Sequence, residues 1–319
     1  MPPSLINQMH QVNILVWNVC GAGSSAFLNN MSEFRRLHNP PIIALLETHI
    51  NGTRADEVCR KLGFQGCFRV DTQGFVGGIW ILWDVATVQL QLIKSHAQYV
   101  TMVVKGHGFQ SWLFTAIYAS PSVHLREHLW RELEGLANSV NTPWLLAGDF
   151  NETRSLTERD HGSDDMARRC AKFNNVIENN GLIDLGFSGP IYTWARGTTW
   201  STRKSSRLDR ALCNSAWRTR FKEGVVRHLP HSHSDHCPLL ISPIGLGVLR
   251  SNPKPFRFQA AWMEHRNFEE FLQHKWHSQL PLVTSLTYLA ADLCSWNREV
   301  FGNLFRRKRK TWARLKGVQ

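Results

Sequence analysis

Short apolar runs alternate with amphipathic stretches from Val12 to Ile241, and this alternation restricts the folds open to the chain. The apolar runs are rich in β-branched and aromatic residues and are bounded by Gly, Pro, Asn or Asp, which is typical of strands. The strand candidates are Val12–Trp17, Ile42–Leu46, Gly78–Trp83, Tyr99–Val104, Trp112–Tyr118, Trp144–Ala147, Ile191–Trp194, Arg207–Cys213, Val225–Leu229 and Pro238–Ile241.

Four helices are predicted between these strands. The first is capped by Ser24 or Ser25 and runs to Leu37; the others are Ala55–Leu62, Leu125–Val140 and Ala167–Asn180. Strands outnumber helices, and short Gly-rich turns separate several neighbouring strands. This favours an α/β (α+β) fold, a four-layer sandwich of two packed mixed β-sheets flanked by helices, over a pure βαβ repeat.

The composition changes after Pro243. Residues 244–255 are rich in Gly and Pro and are predicted to be a linker, and residues 256–319 are predicted to be helical and very basic. The sequence thus predicts a domain over 12–243 and a linker with a basic helical tail over 244–319. The tail contains too few apolar residues to predict an independent core.

Lys and Arg total 37 against 25 Asp and Glu, which gives a formal net charge of +12 and a pI of about 9.7. Such a balance favours a polyanionic partner, although a solvated basic surface explains it equally well. The 7 cysteines form no CxxC pair, and no signal peptide or long apolar run is found. These features predict a soluble intracellular protein that does not enter a membrane.

Polar residues that could perform chemistry follow three of the apolar runs and one loop. They are Asn18, Glu47, the Gly-Asp-Phe-Asn segment 148–151, and the Ser-Asp-His segment 234–236. An Asp and an Asn two residues apart on an extended end point to the same side, where they suit water activation beside a phosphate, although an Asx turn explains them nearly as well. A carboxylate next to a histidine suits metal-assisted hydrolysis. In this order and at these spacings, the four segments together favour catalysis over a purely structural role.

The sequence resembles the endonuclease/exonuclease/phosphatase family, which has the fold of DNase I, and within it the endonuclease domain of plant LINE-type retrotransposons. The resemblance covers residues 14–240 and rests on short motifs: Val-Trp-Asn-Val 16–19, Leu-Glu-Thr 46–48, Ile-Tyr-Ala-Ser-Pro 117–121, Gly-Asp-Phe-Asn 148–151, Tyr-Thr-Trp 192–194, Ser-Arg-Leu-Asp-Arg 206–210 and Ser-Asp-His 234–236. Segment 296–303 and the basic run after it look like the connector that precedes the reverse transcriptase in those elements, and no reverse transcriptase follows here. The resemblance implies a Mg²⁺-dependent phosphodiesterase, with Mn²⁺ as an alternative ion, that nicks one strand of DNA or cuts RNA.

The resemblance also assigns roles to individual residues. Glu47, Asn18 and Asp235 would provide the hard oxygen ligands that Mg²⁺ prefers. The remaining roles fall on residues around the scissile phosphate: Asp149 would orient or deprotonate the water, Asn151 and Tyr118 would contact the phosphate, and His236, oriented by Asp209, would do so as well. The partner would be DNA, the protein would be monomeric, and its location would be nuclear.

Two other patterns suggest different sites. Gly21–Ala26 follows a strand and opens a helix in the manner of a dinucleotide-binding turn, although a plain Gly-rich turn also explains it. His228, His231, His233 and His236 with Cys237 could bind zinc. Both compete with the assignments above and leave several of the signature residues unused.

Two further functions remain compatible with the sequence. A small-molecule phosphoesterase of the same fold would not need the basic charge or the basic run 304–316. A catalytically idle nucleic-acid-binding remnant of a transposon would need a broken site, whereas each position of the site carries the expected residue type.

Overall fold

Two six-stranded β-sheets form the body of the protein in the computed structural model, which describes residues 12–72, 77–106, 109–160, 165–197, 202–245, 258, 262–297 and 300. By its contacts the chain divides into two units, residues 1–246 and 247–319. The first unit contains both sheets and all of the predicted site residues.

The first sheet combines a parallel pair of strands with antiparallel neighbours. Its strands are β1 (Ile14–Asn18), β2 (Ile42–Leu46), β3 (Gly66–Val70), β4 (Ile79–Trp83), β13 (Val225–His228) and β14 (Leu239–Ser242), in the order β13-β14-β1-β2-β4-β3. Strands β1 and β2 are parallel, with Asn18 opposite Leu46. All five residues of each of these two strands are buried, as expected for central strands covered on both faces.

The second sheet is also mixed. Its strands are β5 (Gln89–His96), β6 (Tyr99–Gly106), β7 (Phe109–Tyr118), β8 (Trp144–Asp149), β9 (Leu182–Asp184) and β12 (Asp209–Asn214), in the order β5-β6-β7-β8-β12-β9. Strands β7 and β8 are parallel, and β12 runs antiparallel to β8. A separate two-stranded ribbon is formed by β10 (Trp194–Arg196) and β11 (Lys204–Ser206).

Helices cover the outer face of each sheet. Helices α1 (Ser25–His38) and α2 (Gly52–Leu62) pack on the first sheet, and α3 (Val123–Ser139) and α4 (Asp165–Asn179) pack on the second. A third apolar cluster, which includes Val16, Phe114 and Leu145, lies between the sheets. The predicted four-layer α/β sandwich is confirmed.

Local sequence explains the helix ends. The Ser24 hydroxyl accepts a hydrogen bond from the Phe27 N–H at 3.1 Å, as the predicted N-cap should. Helix α2 ends at Leu62, as predicted, and the next residue, Gly63, has a φ of 71° in the left-handed region typical of a helix C-cap.

Most of the elements that the sequence failed to predict lie at sheet edges. Strands β3, β5 and β9 are outermost in their sheets, β11 belongs to the small ribbon, and the short helix α5 (Ser215–Arg220) was also missed. The predicted strand Ile191–Trp194 is wrong in its bounds, because the strand there begins at Trp194. An edge strand exposes part of its surface to water and does not need a continuous apolar run, so its sequence signal is weak.

A buried network of paired charges joins the second sheet to the loop after β8. Arg207 and Arg210 each contact both Glu158 and Asp184, at N–O distances of 2.7 to 3.0 Å. Arg210 is 0% exposed. The arginines lower the pKa of Glu158 and of Asp184 although burial alone would raise both. Arg154, whose side chain is 34% exposed, also lies 3.7 Å from Asp184 Oδ2. Two buried arginines and a third, partly exposed one therefore neutralise the two buried carboxylates.

The second unit contains helices α6 (Phe268–Lys275) and α7 (Leu282–Trp296). Trp262, Phe268, Leu289, Leu293 and Trp296 are buried together in it, which is more apolar packing than the sequence predicted for this region. The basic run 304–316 lies outside the described residues. In the described part of the chain, no helix has the length and apolar character needed to span a membrane.

Candidate active site

The ends of four strands and the start of a fifth bring residues of both sheets to one edge of the sandwich. Asn18 ends β1, and Glu47 directly follows its parallel neighbour β2. In the second sheet, Tyr118 ends β7 and lies opposite Asp149 at the end of parallel β8, while Asp209 opens β12, also opposite Asp149. Five predicted residues from distant parts of the chain thus meet at the place where open α/β sheets bind ligands.

A cleft of about 350 Å³ opens at this edge. Of the eight predicted residues, those that line it are Glu47, Asp149, Asn151, Asp235 and His236. Asn18, Tyr118 and Asp209 are buried beside it. The structure therefore brings the whole predicted set together.

His236 links the two sheets. Its Nδ1 lies 2.8 Å from Asp209 Oδ2, and its Nε2 lies 3.8 Å from Asp149 Oδ2. Burial alone would lower the pKa of His236, but the Asp209 and Asp149 carboxylates outweigh it and raise that pKa to about 10. The imidazole therefore carries a positive charge, and its Nε2 edge, on the side away from Asp209, faces Asp149.

Asp149 accepts hydrogen bonds on both of its carboxylate oxygens. Oδ1 accepts from the Asn151 backbone N–H at 2.9 Å, and Oδ2 accepts from Asn18 Nδ2 at 3.0 Å. Burial raises the pKa of Asp149, and the nearby negative charges of Asp209 and Glu47 raise it further. A carboxylate with a raised pKa is a stronger base than an ordinary aspartate, which suits proton abstraction near neutral pH.

The backbone explains why the segment reads Gly-Asp-Phe-Asn. Gly148 has a φ of +146°, and a Cβ there would lie 2.0 Å from the Ile117 carbonyl oxygen of the neighbouring strand. Asn151 has a φ of 50°, in the left-handed region that Asn tolerates better than most residues. Its side-chain amide donates to the Ala119 carbonyl at 2.8 Å, which fixes it beside Asp149.

Glu47 occupies a strained position at the cleft. Its φ is 53°, and one carboxylate oxygen lies 3.5 Å from His49 Nε2. Burial raises the pKa of Tyr118, and the charge of Glu47 and a hydrogen bond to the Glu47 carboxylate raise it further. The Tyr118 hydroxyl therefore stays protonated and can donate a hydrogen bond. A left-handed non-glycine residue at a strand end is a conformation that proteins retain chiefly where the site needs it.

Three supporting residues had no role assigned from the sequence. The Ser234 hydroxyl donates to the Asn18 carbonyl at 2.8 Å and accepts from the His236 N–H at 3.0 Å, so it joins the two segments. Trp194 Nε1 donates to Asp235 Oδ2 at 3.0 Å. The Thr193 hydroxyl accepts from the Asp209 N–H at 2.9 Å. Each lies within a motif quoted above, which is the only sequence signal that pointed to them.

The carboxylates of the cleft suit a cation, although four arginines (Arg126, Arg159, Arg169 and Arg196) line the same cleft. Glu47, Asp149 and Asp235 line it, and no described lysine or arginine forms an ion pair with these three residues or with Asp209. Carboxylate and amide oxygens are the ligands that Mg²⁺ prefers, so the predicted residues fit a divalent ion.

Two groups of side chains at the cleft could hold such an ion, and the structure favours one of them. The ligand atoms of Asp149, Asp209 and His236 lie within 4.8 Å of one another, but His236 and Asp209 already bond to each other. Burial raises the pKa of Cys20, and the charges of Asp235 and Glu47 raise it further, so both carboxylates lie near Cys20 in the lining of the cleft. Among the described residues, the one ion-pair partner of these two carboxylates is His49, which lies beside Glu47. Their oxygens are therefore available to a metal ion.

The alternative zinc site does not assemble in the described residues. His228 Nδ1 lies 2.7 Å from the Pro190 carbonyl oxygen, His233 Nε2 lies 3.1 Å from the Ser24 hydroxyl, and Cys237 Sγ lies 3.8 Å from the Tyr192 carbonyl oxygen. Burial lowers the pKa of His228 to about 4. These side chains have separate partners and do not converge on one point.

The glycine-rich turn after β1 does not form a phosphate cradle. The N–H groups of Gly21 and Ala22 donate to the carbonyls of Glu47 and Thr48 at 2.8 and 2.9 Å. A dinucleotide-binding turn needs such N–H groups free to face the pyrophosphate. Here they hold the Glu47 loop against β1.

The family model for the endonuclease/exonuclease/phosphatase family matches residues 15–236. The chain belongs to this family. The matched range contains every residue that converges at the cleft. No curated protein sequence gives a match.

Solved structures with the same fold include several nucleic-acid enzymes. The endonuclease domain of TRAS1, a telomere-specific non-LTR retrotransposon, is 13% identical with a TM-score of 0.54, over 72% of this chain and 97% of that one. AP endonuclease LMAP from Leishmania major is 17% identical with a TM-score of 0.56, over 72% and 86%. The 3′ phosphatase NExo from Neisseria, bound to a product DNA hairpin, is 18% identical with a TM-score of 0.53, over 72% and 98%. At these identities the likeness establishes the fold.

Proposed function

We propose that this protein is a Mg²⁺-dependent endonuclease that nicks one strand of DNA. The observation that carries the proposal is the convergence of Asp149, His236 and Asp209 from two sheets, with Asp209 and His236 2.8 Å apart. Membership of a family of nucleases and phosphatases makes the chain a phosphoester hydrolase.

Asp149 would act on the attacking water. Its raised pKa makes it a base matched to neutral pH, and its hydrogen bonds to Asn18 and to the Asn151 N–H fix its orientation. Asp149 takes the proton as the water oxygen forms its bond to phosphorus. The bond from phosphorus to the 3′ oxygen breaks and that oxygen takes a proton from solvent, which leaves a 3′ hydroxyl and a 5′ phosphate.

His236, Asn151 and Tyr118 would stabilise the charge that develops on the phosphate oxygens. His236 is held as a cation by Asp209, and Tyr118 keeps its proton. Donors fixed in advance, in a site partly shielded from water, stabilise a transition state strongly because they need no reorganisation during the reaction.

Glu47, Asn18 and Asp235 would hold the divalent ion. When bound, the ion would supply positive charge next to the phosphate and the leaving oxygen. The lack of arginine or lysine partners for Glu47 and Asp235 among the described residues supports this assignment.

We further propose that the substrate is nucleic acid, with DNA favoured over RNA, and that the chain derives from a retrotransposon and acts in the nucleus as a monomer. The net charge of +12 and the basic run 304–316 support a polyanionic partner. The motif set that resembles plant LINE-type endonucleases supports the origin. A small phosphoester would require neither feature.

Purified protein incubated with supercoiled plasmid tests this function. Relaxed circles should appear with Mg²⁺ and should be absent with EDTA, and Mn²⁺ should substitute for Mg²⁺. Equal nicking in EDTA would contradict the metal mechanism. Hydrolysis of a soluble phosphomonoester without nicking would favour the small-molecule phosphoesterase, and binding without any hydrolysis would favour the idle remnant.

A further inference from the structure

Three arginines form a connected cluster on the wall of the cleft. Arg126, Arg159 and Arg169 all line it. Arg126 and Arg169 contact the same oxygen of Glu152, and Arg159 and Arg169 each direct Nη1 to the Met166 sulfur, at 2.5 and 3.7 Å. The cluster thus runs from Arg126 through Arg169 to Arg159.

The charges of this cluster do not balance. Glu152 is the one carboxylate in contact with it among the described residues, so three cations meet a single anion. Arg126 and Arg169 have structural partners in Glu152, and Arg126 Nη1 also donates to the Ser120 and Pro121 carbonyls at 2.6 and 2.7 Å. Arg159 differs from both.

Arg159 contacts only neutral groups in the described part of the chain. Its Nε donates to the Ser206 hydroxyl at 3.1 Å, and its Nη1 approaches the Met166 sulfur. Burial lowers the pKa of Arg159 and repulsion from Arg169 lowers it further, and attraction to Glu152 offsets only part of this. A half-buried guanidinium beside two other cations is unfavourable unless an anion from solution offsets the repulsion.

The position of the cluster relates it to the reaction. Glu152 directly follows Asn151, and the Pro121 carbonyl that holds Arg126 lies in the loop after Tyr118. The arginines therefore lie next to the residues assigned to the water and the phosphate. The cleft lining also contains Glu47 and Asp235 near Cys20, together with a fourth arginine, Arg196, whose charge acts on Cys20 as well.

We propose that Arg159, supported by Arg126 and Arg169, binds a second phosphate of the substrate strand, distinct from the phosphate that is hydrolysed. A guanidinium presents paired N–H donors that match two phosphate oxygens. The cleft then selects polynucleotides over single phosphoesters, because only a polynucleotide places a second phosphate at a fixed distance from the first. The inference rests on the proposed hydrolase function and specifies its substrate class.

The test compares Arg159→Gln with a matched control, Arg168→Gln. The control removes the same charge from a residue that is 88% exposed, pairs with Asp165 and does not line the cleft. Binding of a short DNA duplex in EDTA is measured by fluorescence anisotropy at several salt concentrations. R159Q should flatten the slope of log affinity against log salt by about 0.9, the value for one phosphate contact, and R168Q should not.

A second measurement uses turnover with Mg²⁺. R159Q should reduce kcat/KM at least tenfold more for DNA than for bis(p-nitrophenyl) phosphate, which has a single phosphodiester. Equal losses on both substrates, or a salt slope equal to that of R168Q, would overturn the second phosphate site. If R159Q does not fold, Arg159→Lys replaces it as the test. This variant keeps the charge, so it should keep the salt slope but bind DNA more weakly than the unaltered protein. Unchanged DNA affinity would exclude a paired guanidinium contact.

The two measurements separate this inference from the proposed function. A flatter salt slope in R159Q, with no hydrolysis by the unaltered protein, would support the second phosphate site and contradict the nuclease function. Nicking by the unaltered protein that R159Q does not reduce would support the nuclease function and contradict the second phosphate site.

Discussion

Two charge clusters of the protein differ in how their carboxylates are paired. In the network of Arg207, Arg210, Glu158 and Asp184, each of these arginines contacts both carboxylates, and the partly exposed Arg154 also pairs with Asp184. At the cleft, the carboxylates of Glu47, Asp149, Asp209 and Asp235 have ion-pair partners only in His236 and His49 among the described residues.

The difference separates a structural role from a functional one. Each carboxylate of the first network is paired with at least two arginines, so the network holds the loop after β8 against β9 and β12 without any ligand. An unbalanced cluster leaves charge that a metal ion or a phosphate can satisfy, and it costs stability until one binds. Substitutions in the first cluster should therefore affect folding, and substitutions in the second should affect activity.

The largest effect is expected from breaking the arginine–carboxylate network. Arg210→Met leaves Arg207 as the one fully buried cation beside Glu158 and Asp184, with Arg154 partly exposed, and the loss of one partner from a buried ion cluster costs about 3–5 kcal/mol. Urea denaturation measures this loss. Arg168→Met, at an 88% exposed position, is the control and should change stability little. A small loss in R210M would mean that the network contributes little to the fold.

The next effect concerns turnover. His236→Ala and Asp149→Asn should each reduce plasmid nicking by at least about a hundredfold, because a general base or a charge-stabilising donor typically contributes that much. Circular dichroism spectra should stay close to that of the unaltered protein. If either variant nicks at near the normal rate, its residue has no part in the mechanism.

A moderate effect is expected from removing the basic tail. A chain that ends at Pro243 lacks segment 304–316 but keeps every residue of the cleft, so it should fold and nick DNA. Its affinity for long DNA should fall, and the salt slope should flatten by about 0.9 for each DNA phosphate that the tail neutralises in the full chain. An unchanged slope would mean that the tail does not bind DNA. An unfolded product would mean that the first unit needs the second.

The smallest effect is a shift in thermal unfolding with Mg²⁺. Mg²⁺ binds only the folded site and should raise Tm of the unaltered protein by a few degrees when added well above its Kd. Glu47→Gln removes one of the crowded negative charges, so in EDTA it should be at least as stable as the unaltered protein. It should gain little from Mg²⁺, and an equal gain in both proteins would remove Glu47 from the metal site.

The sequence predicted the central strands and the convergence of the site because both follow from local patterns. Strands such as β2, Ile42–Leu46, are continuous apolar runs, and their predicted bounds are those of the structure. Residues such as Asn18 and Glu47 directly follow such runs. Once the strands are parallel neighbours, their ends must lie together.

Partnerships between distant residues could not be predicted in the same way. Arg210 pairs with Asp184 across 26 positions and with Glu158 across 52, and nothing in the local pattern of either segment specifies the other. Edge strand β5, Gln89–His96, is largely exposed, so it lacks the apolar run that identified the inner strands. These features depend on how the completed sheets pack.

The bond between His236 and Asp209 makes activity depend on how the two sheets are aligned. His236 precedes β14 of the first sheet and Asp209 opens β12 of the second, so a displacement of about an ångström between the sheets would separate the 2.8 Å pair while leaving every strand intact. Heat, mild denaturant or a poorly packed substitution between the sheets should therefore inactivate the protein before its backbone signal changes. Its activity is then a more sensitive gauge of inter-sheet packing than any measure of secondary structure.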